Sequence, residues 1–283
     1  MANLIDEHDT KIWRVINHHV NVAYEKKDFS NVTEVGCDET SSRKGHNYVT
    51  VFADMETKEV MFATKGKSAA TIERFKDELP KHNGDAKKIK EITIDMSAAF
   101  IRGVEDHLPN ASITFDKLHV VKALNEAQDE VRRAEQKENP LLKKSRYVWL
   151  KNPKNLTEKQ KDQLSELQTQ NLQTAEAYRL KLTFQEIYRE IKDPETAEKA
   201  INEWLVMAEK SEIEPIVKFT EMVRNHFDGI MRYFTTKLTT GAMEGLNSRI
   251  QNIKRRARGF RNIDNFISMI YLSLAGLELD LPT

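Results

Sequence analysis

The chain has 283 residues, 31% of them charged and 39% apolar, which allows one or two domains with a sizeable core and excludes an intrinsically disordered chain. Its 44 basic and 44 acidic residues cancel, which excludes coating of DNA by bulk charge but leaves local basic tracts open. The single cysteine, Cys37, excludes an internal disulfide and a multi-cysteine zinc module, and no apolar run approaches the ~20 residues of a membrane span or forms a signal-peptide core, so a cytoplasmic place without membrane contact is expected.

In chain order, Ile12, Val15, Ile16, Val20 and Tyr24 at helical spacing predict a helix over 10–27. Short strands are predicted from Val32 to Cys37, ending at Asp38, then from His46 to Ala53 and from Glu59 to Thr64. Three strands joined by short links imply an antiparallel meander. A helix from Ser68 to Leu79 follows, then a strand Glu91–Ile94 running into Asp95, a helix from Ala98 to His107, and a strand Ser112–Phe115 running into Asp116. That alternation suits parallel crossovers, so a mixed five-stranded sheet with packed helices is the expectation. From Leu118 to about Leu238 strand signals vanish. Thr157 with Gln160 reads as a capping box and Asp193-Pro194 as a cap followed by proline at the first helical position, so this block is helical.

The last segment, Gly241 to Arg261, winds at about 100° per residue into a helix with Leu246, Ile250, Ile253 and Ala257 on one side. Glu244, Asn247, Ser248, Gln251, Arg255 and Arg258 fall on the other. A carboxylate ahead of arginines suits a group that holds a cation beside a phosphate chain.

Asp38, Asp95 and Asp116 each close a predicted strand, where α/β sheets build sites. One such aspartate is commonly a cap or turn residue; three of them, with Glu244, form a constellation. Carboxylate oxygens are natural ligands of Mg²⁺, with Mn²⁺ as a substitute, and two such ions would serve an in-line phosphoryl displacement. Six basic residues and no acid lie between Arg249 and Arg261: Arg249, Lys254, Arg255, Arg256, Arg258 and Arg261. A second acid-free tract from Asn139 to Thr157 carries Lys143, Lys144 and Arg146 with Tyr147 and Trp149. Both tracts, and Arg43 and Lys44 beside Asp38, are candidate DNA contacts; Trp149 is either a stacking platform for a base or a buried anchor.

Four ordered segments carry a family resemblance: Gly36 to His46 around Asp38, Ile94-Asp95-Met96, Phe115-Asp116-Lys117-Leu118-His119-Val120-Val121-Lys122, and Glu244-Gly245-Leu246-Asn247 with its basic sequel. Over residues 12–272 the chain resembles the catalytic domain of DDE transposases from insertion sequences of the ISL-three family. The resemblance implies a ribonuclease-H-like α/β fold with a large all-helical insertion before the last catalytic helix. The corresponding division is a helical remnant or linker at 1–31, the first part of the core at 32–119, the insertion at 120–238, and C-terminal core helices at 239–283. It implies a catalytic and metal-binding triad of Asp38, Asp95 and Glu244, with Asp116, His119 and Asn247 as accessory residues. Metal-dependent cleavage of double-stranded DNA at element ends, 3′-hydroxyl attack on target DNA, a homodimer on DNA, a place at the bacterial or archaeal nucleoid and no small-molecule substrate follow from it. Relatives generally carry an N-terminal zinc and helix-turn-helix module, which this chain is expected to lack. A catalytically inactive DNA-binding or assembly protein of the same descent is the alternative, and a structure-selective nuclease a third.

Overall fold

The structure, a computed structural model, describes residues 7–42, 47–170, 172–236 and 241–280. In chain order its elements are α1 (Asp9–Glu25), β1 (Glu34–Ser41), β2 (Tyr48–Asp54), β3 (Val60–Lys65), α2 (Ala69–Glu78), β4 (Glu91–Ile94), α3 (Ala98–His107) and β5 (Ser112–Phe115). The helices α4 (Lys117–Glu135), α5 (Arg146–Leu150), α6 (Glu158–Gln168), α7 (Gln173–Glu190), α8 (Pro194–Glu209), α9 (Glu214–Asn225) and α10 (Phe227–Thr236) follow. Then come α11 (Gly241–Arg256) and α12 (Ile263–Leu274). The contacts divide the chain into two compact units, Met1–Thr114 with Leu238–Thr283, and Phe115–Lys237. Among the described residues no helix is long and apolar enough to cross a membrane.

The strands form the expected mixed five-stranded sheet, in the order β3-β2-β1-β4-β5. β2 lies antiparallel to both β1 and β3, whereas β1 and β4 run parallel. The β-branched and aromatic run Tyr48-Val49-Thr50-Val51-Phe52-Ala53 is buried along nearly its whole length, as a strand covered on both faces must be. Phe52 stacks on Phe75 of α2 with ring centres 4.3 Å apart. On the other flank Tyr24 of α1 donates its hydroxyl to the Met61 carbonyl at 2.7 Å and packs against Tyr271 of α12. α2 and α3 meet at Gly103, where an added Cβ would stand 2.7 Å from Ile72 Cγ1, so only glycine permits that approach.

The first strand departs furthest from its expected bounds. β1 does not end at Asp38 but runs on to Ser41, because its ladder with β2 continues as far as Ser41↔Tyr48. The sequence signal stopped at Asp38 because an acid is a poor strand former; the cross-strand hydrogen bonds override it.

The second unit is helical and built on aromatic packing. Trp149 and Tyr178 anchor one cluster with Leu142, Leu164 and Leu167. Phe184, Trp204 and Phe219 form another, with the Trp204 indole N–H donating to the Leu180 carbonyl at 2.8 Å. The capping box of Thr157 and Gln160 opens α6, and the Asp193 carboxylate accepts the Thr196 N–H to open α8, with Pro194 in its first turn.

Candidate active site

β1 and β4 pair in the register Glu34↔Glu91, Val35↔Ile92, Gly36↔Thr93. β4 ends at Ile94, so β1 runs past its parallel neighbour; carried on by two residues, the register sets Asp38 beside Asp95. Neighbouring strands are about 4.8 Å apart, close enough for two carboxylates to share one cation. Asp38 Oδ1 accepts the Glu39 N–H at 2.7 Å, and its Oδ2 accepts the Asn247 side-chain amide. Asp95 Oδ1 accepts the Ser97 N–H at 2.9 Å, a turn that holds the carboxylate at the strand end. Both acids are half-buried. The neighbouring Cys37 thiol is fully buried, which raises its pKa, and the charges of Asp38, Asp95 and Glu39 raise it further. That field is a second sign that the two aspartates occupy one neighbourhood, and it keeps Cys37 a protonated, inert thiol.

α11 lies along β1. Its buried residues are Met243, Leu246 and Ile250. Ile253 is only half-buried, and Ala257 is exposed beyond the end of the helix, which shifts the apolar stripe one turn toward the N-terminus from its expected course. The reason is Gly36: Met243 reaches to 2.5 Å from where a Cβ would stand on that glycine, so the strand receives the first turn of the helix. Asn247 meets Asp38, Gln251 Nε2 donates to Thr40 Oγ1 at 2.9 Å, and Lys254 Nζ donates to the Ser41 carbonyl at 2.8 Å. Glu244 stands one turn before Asn247 on the same stripe and is exposed. Among the described residues, no three His, Cys, Asp or Glu side chains converge as a ready-made metal site. Asp38 and Asp95 are therefore brought together, and Glu244 is not gathered with them into a three-carboxylate set.

The basic candidates separate into several groups. Arg255, Arg256, Arg258 and Arg261 are exposed around the end of α11, where the chain turns through left-handed conformations at Arg258 (φ 55°) and Gly259 (φ 91°). The Gly259 N–H closes the helix on the Lys254 carbonyl at 2.9 Å. Arg249 donates to the Ser273 carbonyl and Lys254 to Ser41, so both make bonds within the fold rather than standing as uncommitted DNA contacts. Lys143, Lys144 and Arg146 are exposed, Arg146 lying 3.8 Å from Asp129. Trp149 does not stack on bases: it is 0% exposed, its indole N–H donates to Ser145 Oγ at 3.0 Å, and its ring is packed against Tyr178. Arg43 and Lys44 lie outside the described residues.

Asp116 and His119 belong to the helical unit. Asp116 is buried and caps α4, its Oδ1 accepting the Leu118 N–H at 2.7 Å, and His119 is half-buried one turn along. Gln251, Thr40 and Ser41 escaped notice as partners in the site. Their signal was available, since polar residues at 244, 247, 251 and 254 follow the three-four spacing of one helix face.

A transposase family of the DDE, ISL3 type matches residues 35–270, a span that includes every acidic candidate. The transposase for insertion sequence element IS1001 of Bordetella parapertussis is 32% identical over 257 residues, covering 88% of this chain and 63% of its own length. The transposase for insertion sequence element IS1557 of Mycobacterium tuberculosis is 27% identical over 282 residues, covering 90% of this chain and 63% of its own length. The chain thus spans 63% of the length of the curated relatives it matches.

Proposed function

The chain belongs to the ISL3-type family of DDE transposases, and from that premise we propose that it catalyses metal-dependent cleavage of DNA at insertion-sequence ends followed by 3′-hydroxyl strand transfer into target DNA. The observation that carries this reading is the parallel β1/β4 register, which, carried on two residues past Gly36↔Thr93, brings Asp38 level with Asp95. Two carboxylates on adjacent strand ends fit Mg²⁺, which takes one or two protein carboxylates and completes its shell with water and substrate phosphate oxygens. Asp38 and Asp95 would hold one or two such ions, and Glu244 would add its carboxylate from α11. When bound, the cation supplies Lewis-acid stabilisation of the reacting phosphoryl group.

The chain's own residues do the rest. The Glu39 N–H and the Asn247 amide orient Asp38, and the Ser97 N–H orients Asp95. Exposed Arg255, Arg256, Arg258 and Arg261 take the DNA backbone, with Lys143, Lys144 and Arg146 available to further phosphates. The partners are double-stranded element ends and target DNA, engaged by a homodimer, and the place of action is the nucleoid.

Incubation with Mg²⁺ and a duplex bearing the element's ends tests this reading. Wild type is expected to nick and then join the 3′-end to a target plasmid, while Asp38→Asn, Asp95→Asn and Glu244→Gln remain folded and silent. Full activity in any of the three removes that residue from the triad. A catalytically silent DNA-binding or assembly protein is the competing reading, favoured by the exposed Glu244, which joins no three-ligand cluster among the described residues. DNA binding with no nicking under any divalent cation would select it.

A further inference from the structure

Asn247 joins two parts of the site that the sequence separates by more than two hundred residues. It sits on α11, one turn after Glu244, and its side-chain nitrogen donates to Asp38 Oδ2 on β1. The other Asp38 oxygen accepts the Glu39 N–H at 2.7 Å. Bonds to both oxygens, one from the backbone beside it and one from a facing helix, fix the plane of the carboxylate.

The chemistry of the donor matters as much as its position. A lysine or arginine at this place would neutralise Asp38 and compete with any cation for it. A carboxamide orients the carboxylate and leaves its charge in place. α11 does carry a cation close by, yet Lys254 directs its ammonium to the Ser41 carbonyl at 2.8 Å. Between them Gln251 bonds Thr40 at 2.9 Å. At about 100° per residue, Glu244, Asn247, Gln251 and Lys254 fall within about 80° of arc. The last three are rungs of one ladder, so α11 cannot slide or turn along β1 without breaking all of them. The same ladder therefore sets the position from which Glu244 acts.

Resting on the transposase reading above, we propose that Asn247 is a positioning residue: it holds the Asp38 carboxylate in the orientation that receives a divalent cation and locks the helix that presents Glu244.

The test uses the full chain without DNA. Mn²⁺ binding is measured by calorimetry for wild type, Asp38→Asn and Asn247→Leu, the last keeping the side-chain shape while removing the donor. Asn247→Leu is expected to lower Mn²⁺ affinity about tenfold, as loss of a group that orients a metal ligand does, with an unchanged circular dichroism spectrum. In the wild-type chain labelled with nitrogen-15 asparagine, the Asn247 carboxamide resonances are expected to shift when Mg²⁺ is added. They should also shift when Asp38 is replaced by Asn. Mn²⁺ binding that needs Asp38 but not Asn247 overturns this proposal alone. So does a carboxamide signal indifferent to both Mg²⁺ and Asp38→Asn, which decides the matter even where the Leu variant does not fold. Equal Mn²⁺ titrations of wild type and Asp38→Asn would instead overturn the carboxylate site, and this proposal with it.

Discussion

In the sheet-bearing unit, polar side chains of α11 meet β1 where that strand passes the end of β4, and they remain partly hydrated: Asn247 on Asp38, Gln251 on Thr40, Lys254 on Ser41. In the helical unit the opposite holds. Trp149, Trp204, Tyr178 and Phe184 are essentially excluded from water, and charges that enter are tied down, Lys181 to the Trp149 carbonyl and Arg132 to Asp129 at 2.8 Å. A carboxylate that must accept a cation needs oriented donors and access to water. A unit built on packing needs buried area, at about 25 cal/mol per Å² of apolar surface. The two units therefore differ in what a substitution should disturb: chemistry in one, stability in the other.

The strongest way to break this contrast is to compare an aspartate of one unit with an aspartate of the other. Asp38→Asn removes a charge from the sheet unit's site and is expected to lower DNA nicking by at least about 10³-fold, the equivalent of losing several kcal/mol of charge stabilisation. Asp116→Asn should leave the rate within a small factor, because asparagine caps a helix about as well as aspartate and the Leu118 N–H keeps its acceptor. Single-turnover nicking assays at saturating Mg²⁺ read both. An equal collapse in Asp116→Asn would mean that its charge serves the chemistry, and the division of labour between the units would fall.

Trp149→Ala should produce the largest loss of stability. Removing a fully buried indole leaves a cavity among Leu142, Leu164, Leu167 and Tyr178 and costs about 3–5 kcal/mol. Urea unfolding measures it, and Trp149→Phe should lose less, because most of the volume stays and only the bond to Ser145 disappears. A Trp149→Ala protein of normal stability but weakened DNA binding would restore the stacking role that its burial denies.

Lys181 sharpens the contrast through pH. Its side chain is 1% exposed, and desolvation lowers its pKa from 10.5 to about 8. Below about pH 8 both folded and unfolded chains carry the charge, and the folded one bears a penalty of about 3 kcal/mol. Between about pH 8 and pH 10.5 the folded chain has released a proton that the unfolded chain still binds, so stability rises with pH across that window. Lys181→Met should abolish this rise, seen as the difference between wild-type and variant urea midpoints from pH 7 to pH 10. Parallel curves would show that the lysine is solvated in the folded state.

Much of the sheet unit was legible because its signals are local. β4, α3 and β5 fall on their expected residues, since each is bounded by a turn or capping residue. Asp38 and Asp95 could be named from the strand ends, but their adjacency depends on a parallel register between segments more than fifty residues apart, which no local pattern encodes. The same limit hid the tie between Asn247 and Asp38. In the helical unit, caps at Thr157 and Asp193 were readable for the local reason that side chain and backbone donor lie three residues apart. Which aromatic of Tyr147 and Trp149 faces inward was not. Two residues apart on a short helix they point to different sides, and only the surrounding helices decide that Tyr147 is 62% exposed and Trp149 buried.

Asp193 offers the smallest effect and a check on that local reasoning. Its Oδ2 accepts the Thr196 backbone N–H at 2.8 Å and also the Thr196 hydroxyl, while Pro194 occupies the first turn of α8 without a donor to satisfy. Its contacts with Thr196 hold its carboxyl below the usual carboxylate range. Asp193→Ala should lower stability at neutral pH by removing the cap, and Asp193→Asn much less, since the amide oxygen accepts the same bond. The carboxylate's share is present above its unfolded pKa and is lost as pH falls through the lowered folded value, so the Ala and wild-type stabilities should converge in acid. DNA nicking should be unchanged in both variants. A loss of nicking in Asp193→Ala at unchanged stability would show that the N-terminus of α8 takes part in DNA contact.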